Sequence, residues 1–387
     1  MEVDILTAFN GLKDPRIERT KKYPLIEIIF LVVSAAISGC EGWKSIKDFG
    51  DMKLYWLRQF LPYQNGIPVD DTIARVMRSL DSKQFHECFI AWMQGIAKVT
   101  NGDVIAIDGK TARGSYDKKS GKSAIHLVSA WSTANSVVLG QEKITSKSNE
   151  ITAIPELLEV LALKGCIVSI DAMGCQKEIA DKIIKKKADY VLALKGNQGN
   201  LHSDVKSFFT DAIANKFLNV KHEFHEEFDK GHGRIEHRQC WVIKPSEQLD
   251  CFSNLQHWSK LNSIVMVKTK RELKEKTTED IRFYISSCLV SAQEMLDIVR
   301  KHWHIENSLH WTLDVTFRED SSRIRKDAGP ENYALIRKIA LNVIKKHDSI
   351  KASVKRKLSM AALDDAFRTS LINKQLSLKS SILAVIF

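Results

Sequence analysis

Two stretches of this 387-residue chain read as buried strands that run straight into a carboxylate: "VIAI" ends on Asp108 and Gly109, and "CIVSI" ends on Asp171, Ala172, Met173 and Gly174. An apolar run of this length with no polar alternation belongs to a strand covered on both faces. "VLAL" at 191 to 194 has the same character. Strands of this kind confine the chain to a sheet with helices packed over it. They also put both acids at the carboxyl edge of that sheet, where open α/β folds bind ligands. If the two strands are neighbours, the aspartates face each other, and one holds its proton more tightly unless a cation lies between them. Taken singly, each Asp is equally a turn-former or a helix N-cap.

Residues 1–100 read as helices: Leu25 to Cys40, then "WKSIKDFGDMKLYWLRQFL", "DDTIARVMRSL" and "SKQFHECFIAWMQGIAKV", with breaks at Pro62, Gly66 and Pro68. Short helices joined by tight turns suit a helix-turn-helix module for DNA ends, and equally a small bundle for dimerisation. From 103 the pattern changes to strand-like "DVIAI", "AIHLVSAWS" and "SVVLGQEKI". Helix "AIPELLEVLALKG", strand "CIVSI", helix "CQKEIADKIIKKKA" and strand "DYVLAL" follow. Three strands and then alternating helix and strand predict an α/β fold, a mixed sheet covered by helices. The expected organisation is a helical N-terminal domain (1–100), the first part of a core (101–215), a β-rich insertion (216–290), a helix completing the core (291–345) and a basic, helical C-terminal tail (346–387).

The formal charge of +11 favours a polyanionic partner. It is unevenly spread: residues 1–100 hold 13 Lys and Arg against 12 Asp and Glu, and residues 321–387 hold 14 against 5. A solvated, solubilising helical face would look the same. Seven cysteines without a C-x-x-C pair form neither a disulfide framework nor a zinc ribbon, which suits a reducing cytoplasm. The most apolar run, Ile28 to Gly39, is 12 residues long. That is short of the roughly 17 to 25 that span a bilayer. It follows the mixed-charge "KDPRIERTKKYP" and does not resemble a signal peptide, so a buried helix is expected.

A third acid joins the two aspartates. In "LDIVRKHWHIENSLHWTLDVTF" the residues Leu296, Val299, Trp303, Leu313 and Phe317 recur in steps of three and four, the apolar stripe of one long helix, and Glu306 and His310 fill its two gaps. An ionised Glu on an apolar face costs several kcal/mol unless it is paired or binds a metal. Two Asp and one Glu without thiolates favour Mg2+ or Mn2+. Two such ions about 3.5 to 4 Å apart suit in-line phosphoryl displacement. His302, Glu306 and His310 at successive i, i+4 steps form a rival, zinc-type set. Asp314, Glu319 and Asp320 compete for the place of third acid, but Asp314 falls at the margin of the stripe and Glu319 points away.

"AIDGKTARGS", "SIDAMGCQ", "YVLALKGNQ", "KGHGRIEHR" and "VRKHWHIENSLHWTLDVTFRED" resemble the signature blocks of bacterial insertion-sequence transposases of the DDE class, most closely the H-repeat-associated group linked to Rhs elements. The N-terminal "YPLIEIIFLVVSAAISGCEGW" and "GIPVDDTIARV" extend the similarity over nearly the whole chain. The resemblance implies a ribonuclease-H-like catalytic core, Asp108, Asp171 and Glu306 as the DDE triad, and DNA transposition with two divalent ions. The wider superfamily carries Tyr, Arg and Lys around the last acid, where this sequence has Val299, His302 and Leu313. Arg300, Lys301 and His302 are the nearest candidates for the DNA contacts those residues make.

Further contacts to a phosphate backbone are expected from Lys195, Asn197 and Gln198 beyond the "YVLAL" strand, from Lys110 and Arg113 after Asp108, and from Arg234, Arg238 and Lys268 in the β-rich segment. The reading is a cytoplasmic, nucleoid-associated transposase. It binds the terminal inverted repeats of its element and target DNA as duplexes, acts as a dimer or larger assembly, and has no membrane association. A catalytically inactive DNA-binding descendant and a metal-dependent nuclease without a joining step are the alternatives.

Overall fold

The computed structural model describes residues 5–373 apart from 98, 119, 145–148, 232, 245–251, 253, 254 and 275. The end of the expected basic tail, 374–387, lies outside the described residues.

The chain begins with α1 (Ile5–Asn10), α2 (Leu25–Ile37), α3 (Trp43–Met52), α4 (Leu54–Leu57), α5 (Asp70–Ser79) and α6 (Ser82–Ile96). α2 is apolar all round and buried from Glu27 onward, because it runs through the middle of a helical layer. No helix of the described residues is long and apolar enough to cross a membrane. Asp81 is the side-chain N-cap of α6, accepting from the Gln84 amide at 2.9 Å.

The first five strands are β1 (Val104–Thr111), β2 (His126–Ser132), β3 (Val137–Ile144), β4 (Ile167–Ile170) and β5 (Asp189–Leu194), with α7 (Glu150–Val160) before β4 and α8 (Lys177–Lys185) before β5. They lie in the order β3-β2-β1-β4-β5, antiparallel from β3 to β1 and parallel from β1 to β5. This is the ribonuclease-H-like mixed sheet that the resemblance implied.

After α9 (Gly199–Ala214) come β6 (Glu223–Gly231), β7 (Arg234–Ile243), β8 (Ser263–Leu273) and β9 (Lys276–Ser286). These strands extend the same sheet. β9 pairs antiparallel with β5 from Val191↔Ser286 to Leu194↔Phe283, and one nine-stranded sheet runs from β3 to β6. The outer edge of β5 offers unpaired amides and carbonyls, and β9 satisfies them. The half of the β8–β9 hairpin near β5 is buried, and its far half projects into solvent.

α10 (Ala292–His302) starts at a capping box formed by Ser291 and Glu294 and lays Met295, Leu296, Ile298 and Val299 over Val191, Val265 and Tyr284. After α11 (Trp311–Val315) the chain returns to the helical layer with α12 (Gly329–Lys346), α13 (Val354–Leu363) and α14 (Asp365–Asn373). α12 is buried along almost its whole length against α2, α5, α6 and β3. Asn332 donates to the carbonyls of Met77 (2.8 Å) and Leu80 (3.1 Å). The described part of the tail is docked: Arg368 is fully buried, 4.1 Å above the Trp56 ring, and Lys53 pairs with Asp365 at 2.7 Å. Helices from both ends of the chain therefore form one layer beside β3.

Candidate active site

Ile107 and Ile170 are the last partners across the parallel β1/β4 pair, so Asp108 and Asp171 are the next residues out on adjacent strands. Asp171 lies just past the end of β4, whereas β1 does not end at Asp108 as expected but runs on to Thr111 against β2. Asp171 Oδ1 accepts from the amides of Met173 (3.1 Å) and Gly174 (3.4 Å), which fixes the carboxylate at the start of its loop. A Cβ at position 174 would collide with Ile170 and Ile154, so the loop can fold this tightly only on glycine. Asn197 and Gln198 clamp the same loop, donating to the carbonyls of Ala172 (2.7 Å) and Cys175 (2.6 Å). Each gives one amide N–H to the protein, a loop-holding role that was not expected of them. Gly109 leaves room for a His126–Glu150 pair, 2.7 Å apart, against β1.

Glu306 arrives differently from the expected single helix. α10 ends at His302, Trp303 caps it, and residues Ile305–His310 form a π-helical turn before α11. The wider turn breaks the 3.6-residue period, as such turns do at functional sites. Trp303, assigned to the buried stripe by that period, is 41% exposed, with the Arg282 guanidinium 4.5 Å from its ring centre. Glu306 is half exposed, its side chain open by 50% toward the cleft and not sunk in the core.

The π-turn brings His310 and Glu306 to Asp108. His310 Nδ1 lies 3.5 Å from Glu306 Oε2 and 3.6 Å from Asp108 Oδ2. Donor atoms of Asp108, Glu306 and His310 fall within 4.8 Å of one another, close enough to share one cation. Burial, and then the neighbouring charge of Glu306, push Asp108 well above the usual carboxylate range. The His310 ring beside Glu306 holds that carboxyl below its ordinary value. Asp171 is raised by burial, with Glu150 adding in the same sense and the Gly174 amide and Lys195 opposing. Uncompensated carboxylates of this kind are what a divalent cation relieves.

The zinc-type set is not assembled. Burial pushes the His302 ring down to about 4, and it donates to the backbone of Ser169. Its ring also lines the cleft, where in its neutral form it brings no charge to a phosphate. Lys110 shares a strand face with Asp108 and is therefore covered by α11 and the segment after it. Its Nζ meets Asp314 (2.7 Å), Glu319 (3.1 Å) and Asp320 (3.3 Å), and the side chain is only 12% exposed. This cluster occupies the three acids that competed with Glu306.

Arg113 is 83% exposed beside Asp320. Arg238 pairs with Glu227 (3.0 Å), Asp229 and Glu236, and Arg300 reaches the same Glu227 at 2.8 Å. Arg234 pairs with Glu236 at 2.9 Å, Lys268 with Glu279 at 3.1 Å and Lys301 with Asp297 at 2.7 Å. Arg238 faces Glu227 and Arg271 faces Glu236 directly in strand register, so much of the charge on the far half of the sheet is paired within it.

A cleft of about 620 Å3 opens over Asp108, Asp171 and Glu306, and Lys195, His202, Lys206, Arg282 and Trp303 line its walls. His302 lines it as well, and of these six residues only Lys195 and His302 were anticipated as DNA contacts. His202 and Lys206 come from α9 and were not singled out from sequence, where nothing local marks them.

The profile described as "Transposase DDE domain" matches residues 100–343, and that described as "DDE_Tnp_1-associated" matches residues 6–93. The chain is 46% identical over 366 residues to a protein of Escherichia coli O157:H7 named "Putative transposase YncI", covering 94% of this chain and 93% of that one. It is 43% identical over 355 residues to "H repeat-associated putative transposase YhhI" of Escherichia coli strain K12, covering 91% and 93%. The solved structure titled "Cryo-EM structure of piggyBac transposase synaptic complex with hairpin DNA (SNHP)" superposes with a TM-score of 0.44 at 12% identity, over 97% of this chain and 78% of that one. With one profile spanning most of the chain and such relatives running along nearly all of it, this chain belongs to the DDE-domain transposase family, alongside the H repeat-associated members.

Proposed function

We propose that this transposase binds the terminal inverted repeats of its own element as duplex DNA, cuts at the element boundary and joins the freed end to target DNA. Asp108, Asp171 and Glu306 are its catalytic acids. The observation that carries this reading is their convergence: two adjacent strands, at the point where their pairing stops, and a π-turn bring three carboxylates to the floor of one cleft with cationic walls. The two aspartates and Glu306 would hold Mg2+ or Mn2+. Divalent ions there would stabilise the charge that builds on the phosphate and on the leaving 3′-oxygen.

The chain supplies the rest. The fixed loop after β4 keeps Asp171 in place without reorganisation when DNA enters. Lys195, Lys206 and Arg113 offer charge to the phosphate backbone, and counterion release makes their contribution fall with salt. Trp303 presents a ring face at the cleft, where a base freed from the duplex can stack. Bringing two element ends together requires at least two copies of the chain, acting on the nucleoid in the cytoplasm.

The test uses purified protein with a duplex carrying the ends of the element that flanks its gene, in Mg2+ or Mn2+, beside Asp171→Ala and Glu306→Gln. Cleavage at the element boundary and end-to-target joined products are expected from the wild type alone, with specific binding retained by both variants. Cleavage by either variant would overturn the acid assignment. Cleavage without joining would reduce the protein to a nuclease, and binding without cleavage to an inactive descendant.

A further inference from the structure

A divalent-ion site made only of carboxylates leaves the placement of His310 without a purpose. The ring is buried, and it comes from the same π-turn as Glu306. Its Nδ1 is 3.5 Å from Glu306 Oε2 and 3.6 Å from Asp108 Oδ2. These distances are longer than a well-formed N–H···O bond of about 2.7 to 3.2 Å. They match the separation of about 3 to 3.5 Å between neighbouring donors that share one ion at metal–ligand distances of about 2.0 to 2.2 Å. His310 Nε2, on the far side of the ring, is buried with no hydrogen-bond partner among the described residues. That nitrogen is unsatisfied whether or not it carries the proton, so the choice between the two tautomers is made at Nδ1. A cation beside Nδ1 takes its lone pair and moves the proton to Nε2 at no further loss of hydrogen bonding.

We infer that His310 Nδ1 is a direct ligand of the divalent ion held by Asp108 and Glu306, and that this nitrogen makes the site prefer Mn2+ to Mg2+. The inference rests on the acid assignment proposed above. Imidazole suits borderline transition ions, whereas Mg2+ demands oxygen donors and keeps its water. The π-turn gives this its structural basis, because it holds positions 306 and 310 on the face that meets β1.

The experiment uses the full chain, without an affinity tag and without DNA, stripped of metal and titrated with Mn2+. Binding is followed by electron paramagnetic resonance, nitrogen coordination by electron spin-echo modulation from 14N, and preference by competition with Mg2+. The wild type is expected to show 14N modulation. His310→Gln and His310→Ala are expected to lose it and to bind Mn2+ about tenfold or more weakly, with Mg2+ affinity changed far less. His302→Gln is expected to keep the signal. The spectrum of the wild type stands on its own if a His310 variant fails to fold. A Glu306-dependent Mn2+ signal without 14N modulation, or an unchanged Mn2+/Mg2+ preference in a folded His310 variant, would overturn this inference alone. Mn2+ that stays bound in both Glu306→Gln and Asp108→Asn would place the ion elsewhere and sink the acid assignment too.

Discussion

Lys110 sits two residues from Asp108, yet its charge goes to Asp314, Glu319 and Asp320 and not to the cleft. Burial pulls its proton affinity down, but Glu319 and Asp314 more than restore it, and Lys110 stays cationic. Glu319 is itself buried and draws further support from Arg337 and Lys338. Lys110→Met should therefore cost about 3 to 5 kcal/mol, the price of stranding a buried carboxylate. Urea denaturation measures it, and a loss under about 1 kcal/mol would mean that Arg337 and Lys338 suffice. His86 gives a pH dependence. Burial lowers its ring to about 4, and its Nε2 accepts from the Gln141 amide at 3.0 Å. An unfolded His takes a proton near 6.5. Between these values the unfolded chain binds more protons, so stability is lost as pH falls from about 6.5 toward 4. His86→Gln should flatten that slope in a pH series of denaturation midpoints. At this scale the sequence was half legible. Asp108 and Asp171 stand out because each follows an unbroken apolar run, although β1 itself continues past Asp108 to Thr111. The pairing of Arg238 and Arg300 with Glu227 stays hidden, because it depends on strand register across distant segments.

Among the elements, the π-turn at Ile305–His310 departs furthest from expectation. Apolar spacing identified Glu306 and His310 as special, because both interrupt a stripe. It could not show that the helix breaks at Trp303, since periodicity reports a phase and not a change of pitch. The exposed Trp303 that results yields a prediction. A base stacked on an aromatic ring contributes about 1 to 3 kcal/mol. Trp303→Ala should thus weaken binding to element ends with unpaired terminal bases by roughly 5- to 150-fold, while fully paired ends change little. A gel-shift comparison of the two substrates reads this directly, and equal losses on both would remove Trp303 from base contact. The strands of 216–290 were legible as strands but not as members of the main sheet. The partner of β9 is β5, about 90 residues earlier in the chain, and local pattern says nothing about which edge a strand will find.

In the molecule as a whole, the helical layer is shared by the two ends of the chain. Residues 1–100 look from sequence like a separate domain because their helices are short, amphipathic and bounded by turns. Their apolar faces are nevertheless completed by α12, α13 and α14, with Arg368 enclosed by Trp56 and Phe49. Removing everything after residue 353 should then uncover α3, α4 and the side of α2 that α13 covers, while α12 stays in place. Limited proteolysis is expected to cut the truncated protein within residues 1–100 well before the sheet is attacked, and equal protection of both parts would show that the first helices are self-sufficient. The shared layer also sets an order of events during synthesis. α2 emerges some 300 residues before α12, its central packing partner. At translation rates of about 5 to 20 residues per second, its apolar surface waits roughly 15 to 60 s for cover. A copy interrupted by a frameshift or a premature stop would leave that surface bare for good, so such fragments should be cleared by proteases and would not persist as DNA-bound competitors of the intact protein.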